Sequence, residues 1–144
     1  MAPKLKRTRI AAYGLVLKDN KILLCKISKQ FPKAAGFWTL PGGGLEFGED
    51  PADTVVREVE EETGLLIKPL SVAGIDSFTQ EDNDHAFHGI RILYHTELLG
   101  GELRYEKDGS TDLCEWWTYK EALNLPLVSL VSAGLSLAFP NLSE

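Results

Sequence analysis

Three glutamates, Glu58, Glu61 and Glu62, stand at spacing i, i+3, i+4 in the run Arg57-Glu58-Val59-Glu60-Glu61-Glu62-Thr63-Gly64-Leu65. On a helix, at about 100° per residue, they fall within one arc of roughly 100°, so three carboxylates address a common region. Glu58 and Glu62 form a like-charged i, i+4 pair, unfavourable by about 0.2–0.5 kcal/mol. All three lie in the C-terminal half of the helix, where the macrodipole favours cations. Taken alone, such a face is the mark of a solvated surface. A bound divalent cation would resolve the same conflict by neutralising the cluster. Histidine and cysteine are absent from the segment, which argues against zinc. Carboxylate oxygens suit Mg²⁺, a hard ion that also accepts phosphate oxygens.

The elements that must position these groups are legible around them. Asp50 suits an N-cap, Pro51 the first helical position and Gly64 the residue just past the end. Ala52, Val55, Val56, Val59 and Thr63 share another arc, the side expected to pack on a core. Upstream, Ile10 to Leu17 reads as a strand covered on both faces, Asp19-Asn20 as a two-residue turn, and Lys21 to Ile27 as the returning strand. Ser28 to Gly36 is expected to be a polar loop, Phe37 to Leu40 a short strand and Pro41-Gly42-Gly43-Gly44 a turn that brings backbone close to the carboxylates. Downstream, Leu65 to Phe78 reads as strand with a bend at Pro69, and Thr79 to Ala86 as a loop. Phe87 to Leu99 and Leu113 to Tyr119 follow as strands, and Lys120 to Leu123 and Leu127 to Phe139 as helices. The order predicts an α/β chain with a mixed sheet between helices.

The segment from Gly43 to Leu65 resembles the signature of the Nudix hydrolase family: Gly, five residues, Glu, seven residues, then Arg-Glu-aliphatic-any-Glu-Glu-any-Gly-aliphatic. Gly43, Glu49, Arg57, Glu58, Val59, Glu61, Glu62, Gly64 and Leu65 fill every specified position. The resemblance implies an α/β/α sandwich spanning residues 1–144 as one domain. It also implies a Mg²⁺-dependent hydrolase, with Mn²⁺ as a substitute, that cleaves the pyrophosphate linkage of a nucleoside diphosphate derivative. By the same resemblance Arg57 orients a neighbouring glutamate, Glu61 and Glu62 are direct metal ligands, and Glu58 is a ligand or the base that takes a proton from water. Glu49 completes the metal shell or merely favours the helix N-terminus, and a carbonyl of Gly42 or Gly43 contributes to the metal or merely turns the chain. Glu106 is where some relatives place a further ligand; the bland alternative is a solvated loop acid, and Glu115 is a weaker case of the same kind. Trp38, Phe78, Trp116 and Trp117 are candidates to stack on a base, with core packing the competing use, and His85 and His88 are candidates to reach the substrate.

The run Trp38-Thr39-Leu40-Pro41-Gly42-Gly43 with Leu45-Glu46-Phe47-Gly48-Glu49 looks like the small members that split nucleoside triphosphates into monophosphate and pyrophosphate. ADP-ribose or a nucleotide sugar is the alternative substrate, and a non-catalytic nucleotide-binding domain is the alternative of another class. The intact motif carboxylates argue against that last reading, since a binder has no need to activate water.

Composition is that of an ordinary globular chain: 144 residues, 44% hydrophobic and 25% charged. A net charge of −6 argues against a nucleic-acid surface. No apolar run approaches membrane-spanning length. The basic stretch Lys4 to Arg9 precedes a run too short and too soon charged for a signal peptide. Cys25 and Cys114 read as buried free thiols of a reducing compartment. These features predict a cytoplasmic protein, and the family resemblance implies a small-molecule nucleotide substrate and admits a homodimer.

Overall fold

In the computed structural model the chain is described for residues 3–104, 109 and 111–142. Strand β1 (Leu5–Leu15) is followed by β2 (Leu17–Lys18), and the chain reverses at Asp19 and Asn20, both at positive φ (52° and 62°), into β3 (Lys21–Ile27). Asn and Asp tolerate that left-handed conformation, which matches the twist of a tight hairpin. Next come β4 (Trp38–Thr39), β5 (Gly42–Gly44) and α1 (Pro51–Thr63). The long strands β6 (Leu65–Glu81) and β7 (His85–Gly101) form a hairpin, and β8 (Thr111–Thr118), α2 (Tyr119–Ala122) and α3 (Ser129–Ala138) complete the chain.

One mixed sheet has the order β5-β1-β7-β6: β1 runs parallel to β7 and antiparallel to β5, and β7 pairs antiparallel with β6. In the second sheet β3 pairs with β2, β4 and β8, all antiparallel.

Alternation along the strands divides the core in two. Ala12, Val16, Leu23, Cys25 and Tyr94 pack with Val55 and Val59 of α1. Their neighbours of opposite parity, Leu15, Ile22, Leu24 and Leu93, pack with Leu130, Val131 and Leu135 of α3. The strands are thus covered by α1 on one side and α3 on the other, the α/β/α arrangement expected.

Several boundaries differ from the sequence reading, each for a reason in the backbone. The expected loop from Thr79 to Ala86 is mostly strand: Gln80 pairs with Phe87 and Glu81 with Ala86, and Asp82 closes the tip by accepting from the N–H groups of Asp84 (2.8 Å) and His85 (2.7 Å). Polar composition suggested a loop there, and ladder hydrogen bonds override it. β1 begins five residues earlier than Ile10, and its first half is exposed rather than covered on both faces. Pro41 to Gly44 does not only turn, because Gly42–Gly44 is the edge strand paired to Ala11–Tyr13. The bend at Pro69 coincides with a register shift against β7. Cys25 and Cys114 are buried, unoxidised and opposite one another across β3 and β8, Sγ to Sγ 2.8 Å. Burial pushes the Cys25 thiol well above its usual range. Among the described residues no helix is long and apolar enough to cross a membrane.

Candidate active site

Helix α1 is capped as its residues dictate. Asp50 is extended and its carboxylate accepts from the Ala52 N–H at 2.9 Å, Pro51 occupies the first turn, and Gly64 ends the helix at φ 80°. Val55, Val59 and Thr63 are buried against the sheet, as the core arc requires. The glutamate arc straddles the edge of that interface. Glu61 is 53% exposed at its side chain, Glu58 19%, while Glu62 is buried, 3% exposed as a residue. The three therefore do not share one solvent face: β5 packs against the Glu58 and Glu62 side of the helix and covers it. Glu62 Oε1 accepts from the Gly42 N–H at 2.7 Å, with Thr111 Oγ1 3.4 Å from Oε2. A buried carboxylate needs such donors.

Arg57 sits at the centre of the acidic cluster. Its Nε and Nη2 donate to the two oxygens of Glu49 at 2.8 and 2.9 Å, a bidentate pair. Nη1 donates to Glu58 (2.9 Å) and Glu61 (3.3 Å), and Nη2 approaches the Gly44 carbonyl at 3.4 Å. Glu49 also accepts from Thr54 Oγ1 (2.6 Å) and the Glu46 N–H (3.1 Å). Hydrogen bonds from Arg57, then from Thr54 and the Glu46 backbone, hold the Glu49 carboxyl down at about 2. The reciprocal interaction with Glu49 pushes the Arg57 guanidinium up. The arginine thus gathers several carboxylates while matching the charge of only one.

The glycine strand is what lets them gather. A Cβ on Gly43 would lie 2.7–2.9 Å from the carboxylate atoms of Glu58, so only a bare backbone admits that side chain. Gly42 has φ 153°, and a Cβ there would meet the Ala12 carbonyl at 2.3 Å.

A cleft leads away from the carboxylates. Its near part is lined by Gly42, Gly43, Gly44, Glu58, Glu62 and Thr111, and Arg9, Tyr13, Thr39 and Phe78 carry it into a second recess with Phe87 and Arg91. Arg91 Cζ stands 4.5 Å from the centre of the Phe78 ring, a cation–π stack, and Arg91 Nε donates to Asp76 at 2.9 Å. Phe87 packs on Phe78 at 5.5 Å between centroids.

The structure thus brings together Glu49, Arg57, Glu58, Glu61, Glu62, Gly42 and Gly43, and adds Phe78 at the far end of the cleft. Trp38 is elsewhere: it is buried against Trp117, edge-to-face at 5.2 Å, in the α3 core. Of the two uses open to a strand aromatic, stacking on a base or core packing, its parity selects the core. Trp116 lies by Lys18 and Lys21, and His85 pairs with Asp82 at the β6–β7 tip, so neither lines the cleft; nor do His88, Trp117 and Glu115. Glu106 lies outside the described residues. Sequence reading missed Arg9, Tyr13 and Arg91. Their signal, alternation with Ala11 on β1 and a lone cation within β7, becomes meaningful only once strand pairing is known.

The family model of the NUDIX domain matches residues 7–135. An ADP-ribose pyrophosphatase of Methanocaldococcus jannaschii is 41% identical over 69% of this chain and 56% of its own length. The 8-oxo-dGDP phosphatase NUDT18 of Mus musculus is 28% identical over 76% of this chain and 32% of its own. This chain therefore spans about half or less of those two relatives. A crystal structure of the MutT NUDIX hydrolase from Burkholderia pseudomallei superposes with a TM-score of 0.75 at 26% identity, covering 91% of this chain and 98% of the other. With the signature glutamates folded into one cluster beside the glycine strand, the chain belongs to the Nudix hydrolase family.

Proposed function

We propose that this chain is a Mg²⁺-dependent hydrolase of the pyrophosphate linkage in a nucleoside diphosphate derivative, with a (deoxy)nucleoside triphosphate as substrate and monophosphate plus pyrophosphate as products. The observation that carries the proposal is the cluster of Glu49, Glu58 and Glu61 on Arg57, opening with Glu62 onto a cleft that ends at Phe78.

The donor set fits the ion. All candidate ligands are carboxylate or backbone oxygens, and a hard divalent cation prefers these. Among the described residues no three acidic, histidine or cysteine side chains form a ready cation cage, and Glu49, Glu58 and Glu61 are each paired with Arg57. Glu61, Glu62 and a carbonyl of Gly42 or Gly43 are the groups that would hold Mg²⁺, with Glu49 as their support and Glu58 left as the base. When bound, the ion supplies neutralisation of the phosphate oxygens and a lowered pKa for a coordinated water.

The remaining roles belong to side chains. Arg57 fixes Glu49 against Thr54 and keeps Glu58 beside Gly43. Glu58, facing the cleft, accepts the proton of the attacking water on a carboxylate oxygen. Glu62, anchored by the Gly42 N–H, sets the depth of the site. Phe78, backed by Arg91, offers an aromatic face for a base.

A second reading, ADP-ribose as substrate, is favoured by one observation: the 41% identity to the archaeal ADP-ribose pyrophosphatase. The test is phosphate release from a panel of common and oxidised (deoxy)nucleoside triphosphates, ADP-ribose, nucleotide sugars and dinucleoside polyphosphates, with Mg²⁺, Mn²⁺ or chelator. Metal-dependent pyrophosphate from one triphosphate supports the first reading, and monoesters from ADP-ribose the second. No turnover of any member, by protein that binds the metal, overturns both.

A further inference from the structure

We propose that Arg9 is a phosphate-binding residue of the cleft, gripping the substrate's phosphate chain on the face of the glycine strand opposite the carboxylates. The inference rests on the reading of the cleft as a nucleotide-derivative site, and it assigns the positive wall that the signature motif does not contain.

The geometry follows from strand parity. Arg9, Ala11 and Tyr13 alternate along β1 and all three line the recess on the α3 side of the sheet. Ala12 and Gly14, of opposite parity, face α1: Ala12 packs with Val55 and Val59, and a Cβ on Gly14 would meet both valines at 3.3–3.5 Å. Between these two faces runs β5, an edge strand of three glycines. On its α1 side the Glu58 carboxylate lies where a Gly43 Cβ would be. On its α3 side the Arg9 guanidinium lies where a Gly44 Cβ would be, 2.8 Å from Nε and 2.9 Å from Nη2. One bare strand thus separates the candidate metal ligands from a cation one residue along, and the cleft passes both.

The charges of the cleft differ in availability. Arg57 is committed to glutamates and Arg91 to Asp76. Arg9 is exposed and makes no ion pair among the described residues, and it lies against Gly44 and beside Tyr13, neither of which neutralises it. A cation with no ion pair among the described residues, in a cleft whose other end is acidic, suits an anion that spans the two, and a phosphate chain is such an anion. A guanidinium matches phosphate oxygens with paired donors, so Lys at this position would retain charge but lose geometry. On this assignment the phosphates pass around the edge of β5, and the base continues toward Phe78 and Phe87.

The test is calorimetric titration of inorganic pyrophosphate, in Mg²⁺, into wild type, Arg9→Ala and Arg9→Lys. Arg9→Ala should bind about 10-fold or more weakly, the effect of one charge-assisted contact. Arg9→Lys should recover part of that loss, which a purely structural role would not give, and melting temperatures should be unchanged because Arg9 is exposed. With any substrate found in the panel, Arg9→Ala should raise KM by a similar factor and leave kcat within about threefold. Equal pyrophosphate affinity in wild type and Arg9→Ala, or none in wild type, overturns the assignment. Turnover by wild type with no Arg9 effect sinks only this inference. An Arg9 effect on pyrophosphate binding without turnover of any panel member would sink the hydrolase reading and leave the anion site standing.

Discussion

Arg57 and Glu49 are eight residues apart in sequence and are joined by two parallel hydrogen bonds, Nε to Oε2 at 2.8 Å and Nη2 to Oε1 at 2.9 Å. The pair ties the loop before α1 to the helix and leaves Nη1 to hold Glu58 and Glu61. Arg57→Lys should therefore keep a charge but lose the fork. Its kcat is expected to fall roughly 10–100-fold, the range for residues that orient ligands, with a small change in melting temperature. A wild-type rate in that variant would remove Arg57 from the catalytic arrangement.

The same pair has a pH signature. The Glu49 carboxyl is held at about 2, below its usual 4.5, so the folded state favours the ionised form. The stabilisation is fully present above pH 4.5 and is lost as pH falls from there toward 2. Carbon-detected NMR titration of the Glu49 carboxyl should show a midpoint near 2 in wild type. In Arg57→Ala it should move up toward the ordinary range. An unmoved midpoint would mean that Thr54 and the Glu46 backbone, not Arg57, set the shift.

Adjacent glutamates should separate stability from chemistry. Glu61 is exposed and its one described partner is Arg57, so Glu61→Gln should melt as wild type yet turn over about 100-fold more slowly. Glu62 is buried on the Gly42 N–H, so Glu62→Ala should lose about 1–3 kcal/mol of stability, measured by urea unfolding, as well as activity.

Adjacent glycines should do the same. Gly42 has φ 153° and no room beside the Ala12 carbonyl, so Gly42→Ala should destabilise by more than about 1 kcal/mol. At Gly43 the obstacle is the end of the Glu58 side chain. Gly43→Ala should therefore fold nearly as well while displacing Glu58 and lowering kcat. If both variants melted alike, the carboxylate would not be seated on Gly43.

The sequence by itself determined the helix, its caps and the identity of the glutamates, because each depends on local spacing. Asp50, Pro51 and Gly64 mark the ends of α1 through backbone rules that operate within one turn, and the Asp19-Asn20 turn is equally local. The α/β/α layering was also legible from the order of strands and helices and from the family resemblance, and the two cores on either side of β1 and β3 bear it out. Parity and pairing across the chain were decided only by the tertiary structure. Helical angle grouped Glu58, Glu61 and Glu62, yet packing of β5 against one side of α1 buried Glu62 and left Glu61 in solvent. Trp38 went to the core and Phe78 to the cleft, though both are strand aromatics. Arg9 stands far from the signature in sequence, and only the pairing of β1 with the glycine strand brings its charge to the site. Long-range strand pairing is specified by no short motif, and for that reason the carboxylates could be read from the chain while the cations facing them could not.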